Sequence, residues 1–134
     1  PQGRQITPSL EVTTSLPLTN DKALSKLSAY ANDYGVRTSR TCHEGDWILY
    51  SFATPQRNVE VELTTGYRHV PRGIFPFGVV EVSEDGKNFK QVAVLDNGSA
   101  KITLTQPVRH IRLRSTATGN GDRFVYLQFP IIRK

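Results

Sequence analysis

The sequence predicts an all-β fold, an antiparallel β-sandwich of about eight short strands with one short helix near the N-terminus. Beyond about residue 35, apolar residues recur with a period of two. Turn-forming residues separate these runs roughly every 8 to 15 residues. One of the turns contains an Asp-Gly pair, which is the strongest short-range signal for a β-hairpin. Together these observations favour a sandwich over a helical or mixed fold.

The N-terminal part divides into three pieces. We assign residues 1–9 to a linker and residues 10–134 to a single domain, whose first strand is predicted near residues 10–14. A short helix follows in the prediction, because Asn20 or Asp21 can cap it and three apolar residues then fall three to four positions apart. These are Leu24, Leu27 and Ala31.

Two strands in the middle of the chain have different patterns. In "DWILYSF", residues 46–52, both alternating sets are apolar, which predicts a central strand covered on both faces. In "NVEVELTT", residues 58–65, valine and leucine alternate with polar residues. That alternation predicts a half-buried strand with Glu60 and Glu62 in solvent.

The second half of the chain is predicted to contain the hairpin and three further strand segments. "FGVVEVS" and "NFKQVAVL" flank "EDGK", so Asp85 and Gly86 are expected to form the turn. The turn after the second of these strands contains Asp96, Asn97 and Gly98. The remaining strand segments are "AKITLT", "VRHIRLRS" and "DRFVYLQFPIIRK".

Composition narrows the class of protein. The 134 residues suffice for one domain with a core of its own, and the net charge of +5 could steer the domain toward anionic partners. The single cysteine excludes an internal disulfide and a cysteine-rich zinc site. Neither a membrane-spanning run nor a signal peptide is visible. A chain that starts at Pro1 without any methionine is expected to be a processed product or a piece of a longer protein.

Catalytic motifs are not found in the sequence. Cys42 and His43 are neighbours, but a nucleophile and its base are assembled in space, so Cys42 is expected to be a small apolar filler. His110 is expected to be a strand histidine, and no carboxylate pair of the glycosidase type can be recognised. We therefore expect a domain that is not an enzyme.

A long loop, Thr65 to Pro76, contains the most unusual composition. "TGYRHVPRGIFPF", residues 65–77, combines three aromatic residues with two arginines and a histidine. Aromatic rings can stack on a sugar, and arginine and histidine can donate hydrogen bonds to its hydroxyls. The candidate ligand-binding residues are Arg68, His69, Arg72 and Phe75. The alternative is that Tyr67, Phe75 and Phe77 cap the open end of the core, and for Phe77 the two interpretations weigh equally.

A second loop, "TATGNGDR", spans residues 116–123. If it lies at the same end as the first loop, Asn120, Asp122 and Arg123 would contribute to the same pocket. Its glycines would allow close backbone approach to a ligand, although a plain Gly-Asn turn is an equal alternative.

Three stretches, in order, resemble a known family. "EGDWILYSF", "VEVSEDGKNFKQVAVL" and "VRHIRLRSTATGNG" are similar to the discoidin-like, or coagulation-factor type C, domains of the galactose-binding-domain-like superfamily. The carbohydrate-binding members are the family 32 modules, and the similarity is greatest to modules appended to bacterial glycoside hydrolases such as β-hexosaminidases. The resemblance implies a jelly roll with the ligand site in loops at one end. Arg68 or Arg72 fits the family's sugar-contacting arginine, and Phe75, His69 and Asn120 match more loosely.

The chain departs from the family where many members hold a structural calcium. "ANDYGVRTSR", residues 31–40, has Asp33 and Gly35 offset and lacks the family's tryptophan. This argues against calcium and leaves Asp33 as the remaining candidate ligand. Tyr34, Arg37 and Arg40 are candidates to replace the ligand contacts of that loop.

The leading hypothesis is a non-catalytic carbohydrate-binding accessory domain of a larger secreted glycoside hydrolase. Its expected partners are a glycan and the catalytic domain of the same chain, with no nucleic acid, no transmembrane segment and a monomeric state. The expected location is secreted, periplasmic or at the cell surface. The alternatives are a domain that braces its catalytic neighbour, or a binder of anionic lipid or sulfated glycan.

Overall fold

A computed structural model describes residues 3–18, 36–66, 72–118 and 124–134. Every regular element in these ranges is a strand, and the strands form two larger antiparallel sheets and a small ribbon. The elements are β1 (Gln5–Ile6), β2 (Leu10–Thr14), β3 (Val36–Arg37), β4 (Trp47–Gln56), β5 (Val59–Thr64), β6 (Gly78–Ser83), β7 (Lys90–Val94), β8 (Ser99–Leu104), β9 (Val108–Ser115), β10 (Tyr126–Leu127) and β11 (Ile131–Arg133).

The two sheets form the sandwich that the sequence predicts. One has the strand order β2-β4-β9-β6-β7, the other has the order β1-β11-β5-β8, and β3 pairs with β10. None of these described segments forms a helix with the length and apolar character that a bilayer crossing requires. The predicted helix over residues 20–31 lies outside the described residues.

The core lies between the inner faces of the two sheets. On β4 the inward side chains Ile48, Tyr50 and Phe52 are buried, and on β5 the inward set includes Val61 and Leu63. The prediction that β4 is central is confirmed, because it lies between β2 and β9. Its outer side chains, however, are only half-buried. The sandwich covers that sheet on one face, so the expectation of complete cover on both faces is wrong.

The Asp-Gly hairpin between β6 and β7 forms as predicted. Gly86 has φ = 79°, a conformation that glycine adopts without a steric penalty. The Asp85 carboxylate accepts hydrogen bonds from the backbone N–H groups of Lys87 (2.8 Å) and Asn88 (2.9 Å). The bonds from Asn88 and Lys87 hold the pKa of Asp85 far below its usual range.

The first and last described strands lie side by side. β1 pairs with β11, and the backbone N–H of Lys134 donates to the carbonyl of Arg4 at 2.9 Å. Residues 5–6 therefore belong to the sheet, and the assignment of residues 1–9 to a linker is wrong for this part. This pairing lies beside Glu60 at the start of β5, so β1 and β11 meet at the end of the sandwich opposite Thr65, which follows the end of β5.

Candidate functional site

Several connecting segments meet at one end of the sandwich, which we call the loop end. The N–H of Gly66 donates to the carbonyl of Tyr126, and the N–H of Tyr126 donates to the carbonyl of Gly73, both at 2.8 Å. Thr38 donates to Val125 at 2.9 Å in the same way. The described borders of the two predicted ligand loops therefore meet, as expected if both loops serve one site.

Two of the predicted ligand residues are described within or beside these loops. Arg72 is exposed at the loop end, as a ligand contact requires. Phe75 is 0% exposed, so the prediction that its ring contacts a ligand is wrong. Its N–H donates to Thr65 Oγ1 (3.0 Å), and that hydroxyl donates to the carbonyl of Gly98 (2.7 Å). Phe75 thus closes the end of the core, whereas Phe77 is 49% exposed.

Arg40 has a structural partner. Its Nη1 lies 2.7 Å from Asp46 Oδ2. Asp46 also accepts from the N–H of His43 (2.7 Å) and from the hydroxyl of Ser15 (2.9 Å). Burial alone would raise the pKa of Asp46, but the hydrogen bonds, that of Arg40 foremost, outweigh it and hold the pKa below its usual value. The proposed ligand role of Arg40 conflicts with this pairing, which engages its guanidinium in holding the residue 40–46 turn.

The other predicted candidates lie outside the described residues. They are Asp33, Tyr34, Arg68, His69, Asn120, Asp122 and Arg123. Within the ranges that the structure describes, no group of three or more histidine, cysteine, aspartate or glutamate side chains is arranged to hold a metal ion.

Three residues at the loop end form a cluster that the sequence did not identify as a unit. The guanidinium carbon of Arg37 lies 4.6 Å from the centre of the Phe124 ring. The Phe124 and Tyr126 rings meet edge to face, with their centres 5.6 Å apart. Phe124 and Tyr126 are half-buried and Arg37 is exposed. The sequence named Arg37 only as a candidate to replace the ligand contacts of the residue 31–40 loop. It placed Phe124 and Tyr126 in the last strand segment.

Gly73 fixes the position of this cluster. Its φ is +70°, and a Cβ added there would lie 2.9 Å from Cε2 of Phe124. The loop backbone can approach the ring this closely only because residue 73 has no side chain. The two glycines of the loop indicated in the sequence that the backbone could approach another group closely. Their spacing could not show that this group is the Phe124 ring.

A serine and a histidine meet away from the loop end, on the outer face of the five-stranded sheet. Ser51 Oγ and His110 Nδ1 are 2.9 Å apart. A catalytic pair of this kind needs a third group that orients the histidine. Glu11 lies across from Ser51, on the side away from His110, and the other ring nitrogen of His110 faces Gly86. This arrangement fits a structural hydrogen bond.

Similarity to known proteins is found in the structure and not in the sequence. The sequence matches no protein-family model, and it matches none of the curated proteins searched. Among solved structures, a family 32 carbohydrate-binding module from Clostridium perfringens, in complex with GalNAc-β-1,3-galactose, superposes with a TM-score of 0.69. The sequences are 14% identical, and the match covers 98% of this chain and 100% of the other.

Two further structures have the same fold. The family 32 module of C. perfringens NanJ, in complex with galactose, has a TM-score of 0.66 at 11% identity and covers 96% of this chain and 98% of its own. Chitosan-binding module 2 from a Paenibacillus sp. IK-5 chitosanase/glucanase, in complex with chitotriose, has a TM-score of 0.67 at 14% identity, with coverages of 96% and 98%. The chain therefore has the β-sandwich fold of these carbohydrate-binding modules.

Proposed function

We propose that this domain binds carbohydrate at the loop end of the sandwich and does not catalyse a reaction. The observation that supports it most directly is the cluster of Arg37, Phe124 and Tyr126, with Arg72 exposed at the same end. The fold adds support, since three modules with the same architecture have been solved with sugars bound.

The chemistry of the cluster suits a sugar. A sugar ring presents C–H groups on its faces and hydroxyls around its edge. The half-buried aromatic rings of Phe124 and Tyr126 offer apolar surface for the C–H groups, and a phenol can also exchange hydrogen bonds with hydroxyls. Arg37 and Arg72 supply fixed forks of N–H donors for hydroxyl oxygens.

The state of Asp46 at the loop end supports the proposed lack of catalysis. Hydrolysis of a glycosidic bond needs two carboxylates that face each other across the substrate. Asp46 is held by Arg40, His43 and Ser15, and its lowered pKa makes it a poor general acid.

The wider setting is part of the proposal. A module of this kind would act in a larger secreted bacterial glycoside hydrolase, such as a β-hexosaminidase, and keep a catalytic domain close to its glycan. The 134-residue chain on its own would be a monomer, and the larger protein would act outside the cytoplasm. Analysis of the coding region beside Pro1 and sedimentation velocity of the 134-residue chain test these two points.

Isothermal titration of the 134-residue chain tests the binding site. The probes are galactose, GalNAc-β-1,3-galactose and chitotriose, supported by a glycan array. Phe124→Ala and Arg37→Ala should each weaken binding by about tenfold, because each removes a stacking or charged-donor contact worth roughly 1–2 kcal/mol. Lys87→Ala, an exposed cation on the distant hairpin, is the matched control and should bind as the wild type does.

Two results would count against the proposal. In the first, the folded wild-type chain binds no glycan on the array. In the second, it binds, but Phe124→Ala and Arg37→Ala retain full affinity, which would place the site elsewhere.

A further inference from the structure

The exposed apolar side chains of the described residues are concentrated on one side of the molecule. Phe77 is 49% exposed, Val92 45% and Val94 62%. Phe77 directly precedes β6, and both valines lie on β7, the edge strand that pairs with β6. A concentration of exposed apolar groups on an otherwise polar surface indicates a contact site.

Phe77 stands on the outer face of the five-stranded sheet. The N–H of Thr116 donates to the carbonyl of Phe77 at 3.4 Å, which extends the β6–β9 pairing by one residue beyond Gly78 and Ser115. Side chains alternate along a strand. Gly78 faces inward, where an added Cβ would meet Leu95, so the Phe77 ring faces outward at the margin of the loop end.

A fixed hydrogen-bond donor lies beside this ring. Arg114 is opposite Val79, two residues along β6 from Phe77. Its Nε and Nη2 donate to the two carboxylate oxygens of Glu81, at 3.1 and 3.2 Å, while its side chain stays 40% exposed. From strand spacing and rise, the Cα atoms of Phe77 and Arg114 are about 8 Å apart. Ring and guanidinium therefore belong to one continuous surface.

A short segment joins this surface to the loop-end site. Gly73 lies against Phe124, and four residues later the chain reaches Phe77. Four residues span at most about 14 Å. Phe75, midway, is fully buried and fixes the segment to the core. A ligand several sugars long could touch both places, whereas a single sugar could not.

We propose that Phe77 and Arg114 form a second subsite, so that the domain binds a linear oligosaccharide rather than a single terminal sugar. Phe77 supplies a stacking face and Arg114 a preoriented donor. The inference rests on the proposed carbohydrate-binding function of the loop end. A protein partner suits this surface less well, because a stable interface buries about 800 Å² on each side. One half-exposed phenylalanine and two valines supply only a small part of that area.

Titration with a series of increasing length tests the proposal. Glucosamine, its β-1,4-linked dimer and chitotriose form one series, and galactose with GalNAc-β-1,3-galactose forms the other. Wild-type affinity should rise with length in at least one series. Phe77→Ala should weaken binding of the longest bound member by about five- to tenfold, from the apolar area that stacking covers, and should leave the single sugar unaffected. Lys101→Ala, an exposed side chain on β8 of the other sheet, is the control and should change the affinity for neither length of sugar.

The outcomes separate the two proposals. If Phe124→Ala abolishes binding while Phe77→Ala binds every length as the wild type does, the subsite is refuted and the loop-end site stands. If Phe77→Ala alters only self-association in sedimentation velocity, the surface serves a protein contact and the subsite is refuted. If the wild-type chain binds no glycan, both proposals fail.

Discussion

Replacing Phe75 with alanine should lower the free energy of unfolding by about 3–5 kcal/mol, the usual cost of emptying a buried phenylalanine site. The side chain is 0% exposed and closes the end of the core, so its removal leaves a cavity that the sheets cannot easily fill. In a domain of this size the melting temperature should fall by roughly 10–15 °C.

Phe77 supplies the matched comparison. With 49% of its surface already in solvent, Phe77→Ala should change the free energy of unfolding by about 1 kcal/mol or less. Phe75→Leu, which keeps most of the buried volume, should cost about 1–2 kcal/mol and remain folded for binding measurements.

Urea denaturation followed by the fluorescence of Trp47, the single tryptophan, measures all three variants. Glycan titration of each folded variant completes the test. The reasoning is refuted if Phe75→Ala or Phe75→Leu keeps the wild-type midpoint but loses glycan binding, because that pattern belongs to an exposed contact residue.

Three other outcomes are expected. Asp46→Asn should cost about 1–3 kcal/mol at pH 7, since it removes the charge that pairs with Arg40. Because the pKa of Asp46 is lowered on folding, its contribution is complete above about pH 4 and is lost as the pH falls through the lowered pKa, so stability curves of variant and wild type should converge in acid. Gly73→Ala should lower the free energy of unfolding in urea by about 1–3 kcal/mol, and it should also weaken glycan binding, because the added Cβ would displace the Phe124 ring. Unchanged glycan affinity would contradict the proposed site. Affinity for neutral sugars should barely change between low and high salt, whereas a steep loss in titrations at rising ionic strength would favour an anionic lipid or sulfated glycan.

Local patterns in the sequence were sufficient to predict most of the sandwich. The alternation in β5 reports which side of the strand is buried, and Val61 and Leu63 are buried as expected. The Asp85-Gly86 pair predicts a turn because the turn itself requires a positive φ at Gly86, whatever the rest of the fold. Cys42 is fully buried, which confirms its role as a small apolar filler. Each of these features depends on neighbours in the chain.

The candidate site was harder to predict because it depends on distant contacts. In the loop before β6 no period of two or 3.6 distinguishes inside from outside, and Phe75 was therefore assigned to the ligand although it is buried. Arg37 and Phe124 are 87 positions apart in sequence, and nothing local to either indicates that they stack. The strand register does explain why the Phe77 side chain is exposed, since Phe77 continues the alternation of β6 by one residue beyond the inward-facing Gly78.

The pairing of β1 with β11 has a practical consequence for handling the domain. Gly3 and Lys134 are adjacent and lie at the end of the sandwich opposite the loops. A tag or linker that leaves the domain at Gly3 or Lys134 therefore starts at the end of the sandwich away from Phe124, Arg37 and Phe77. The same adjacency makes the domain suitable for circular permutation, in which a short bridge joins the original ends and new ends open in the hairpin at Gly86.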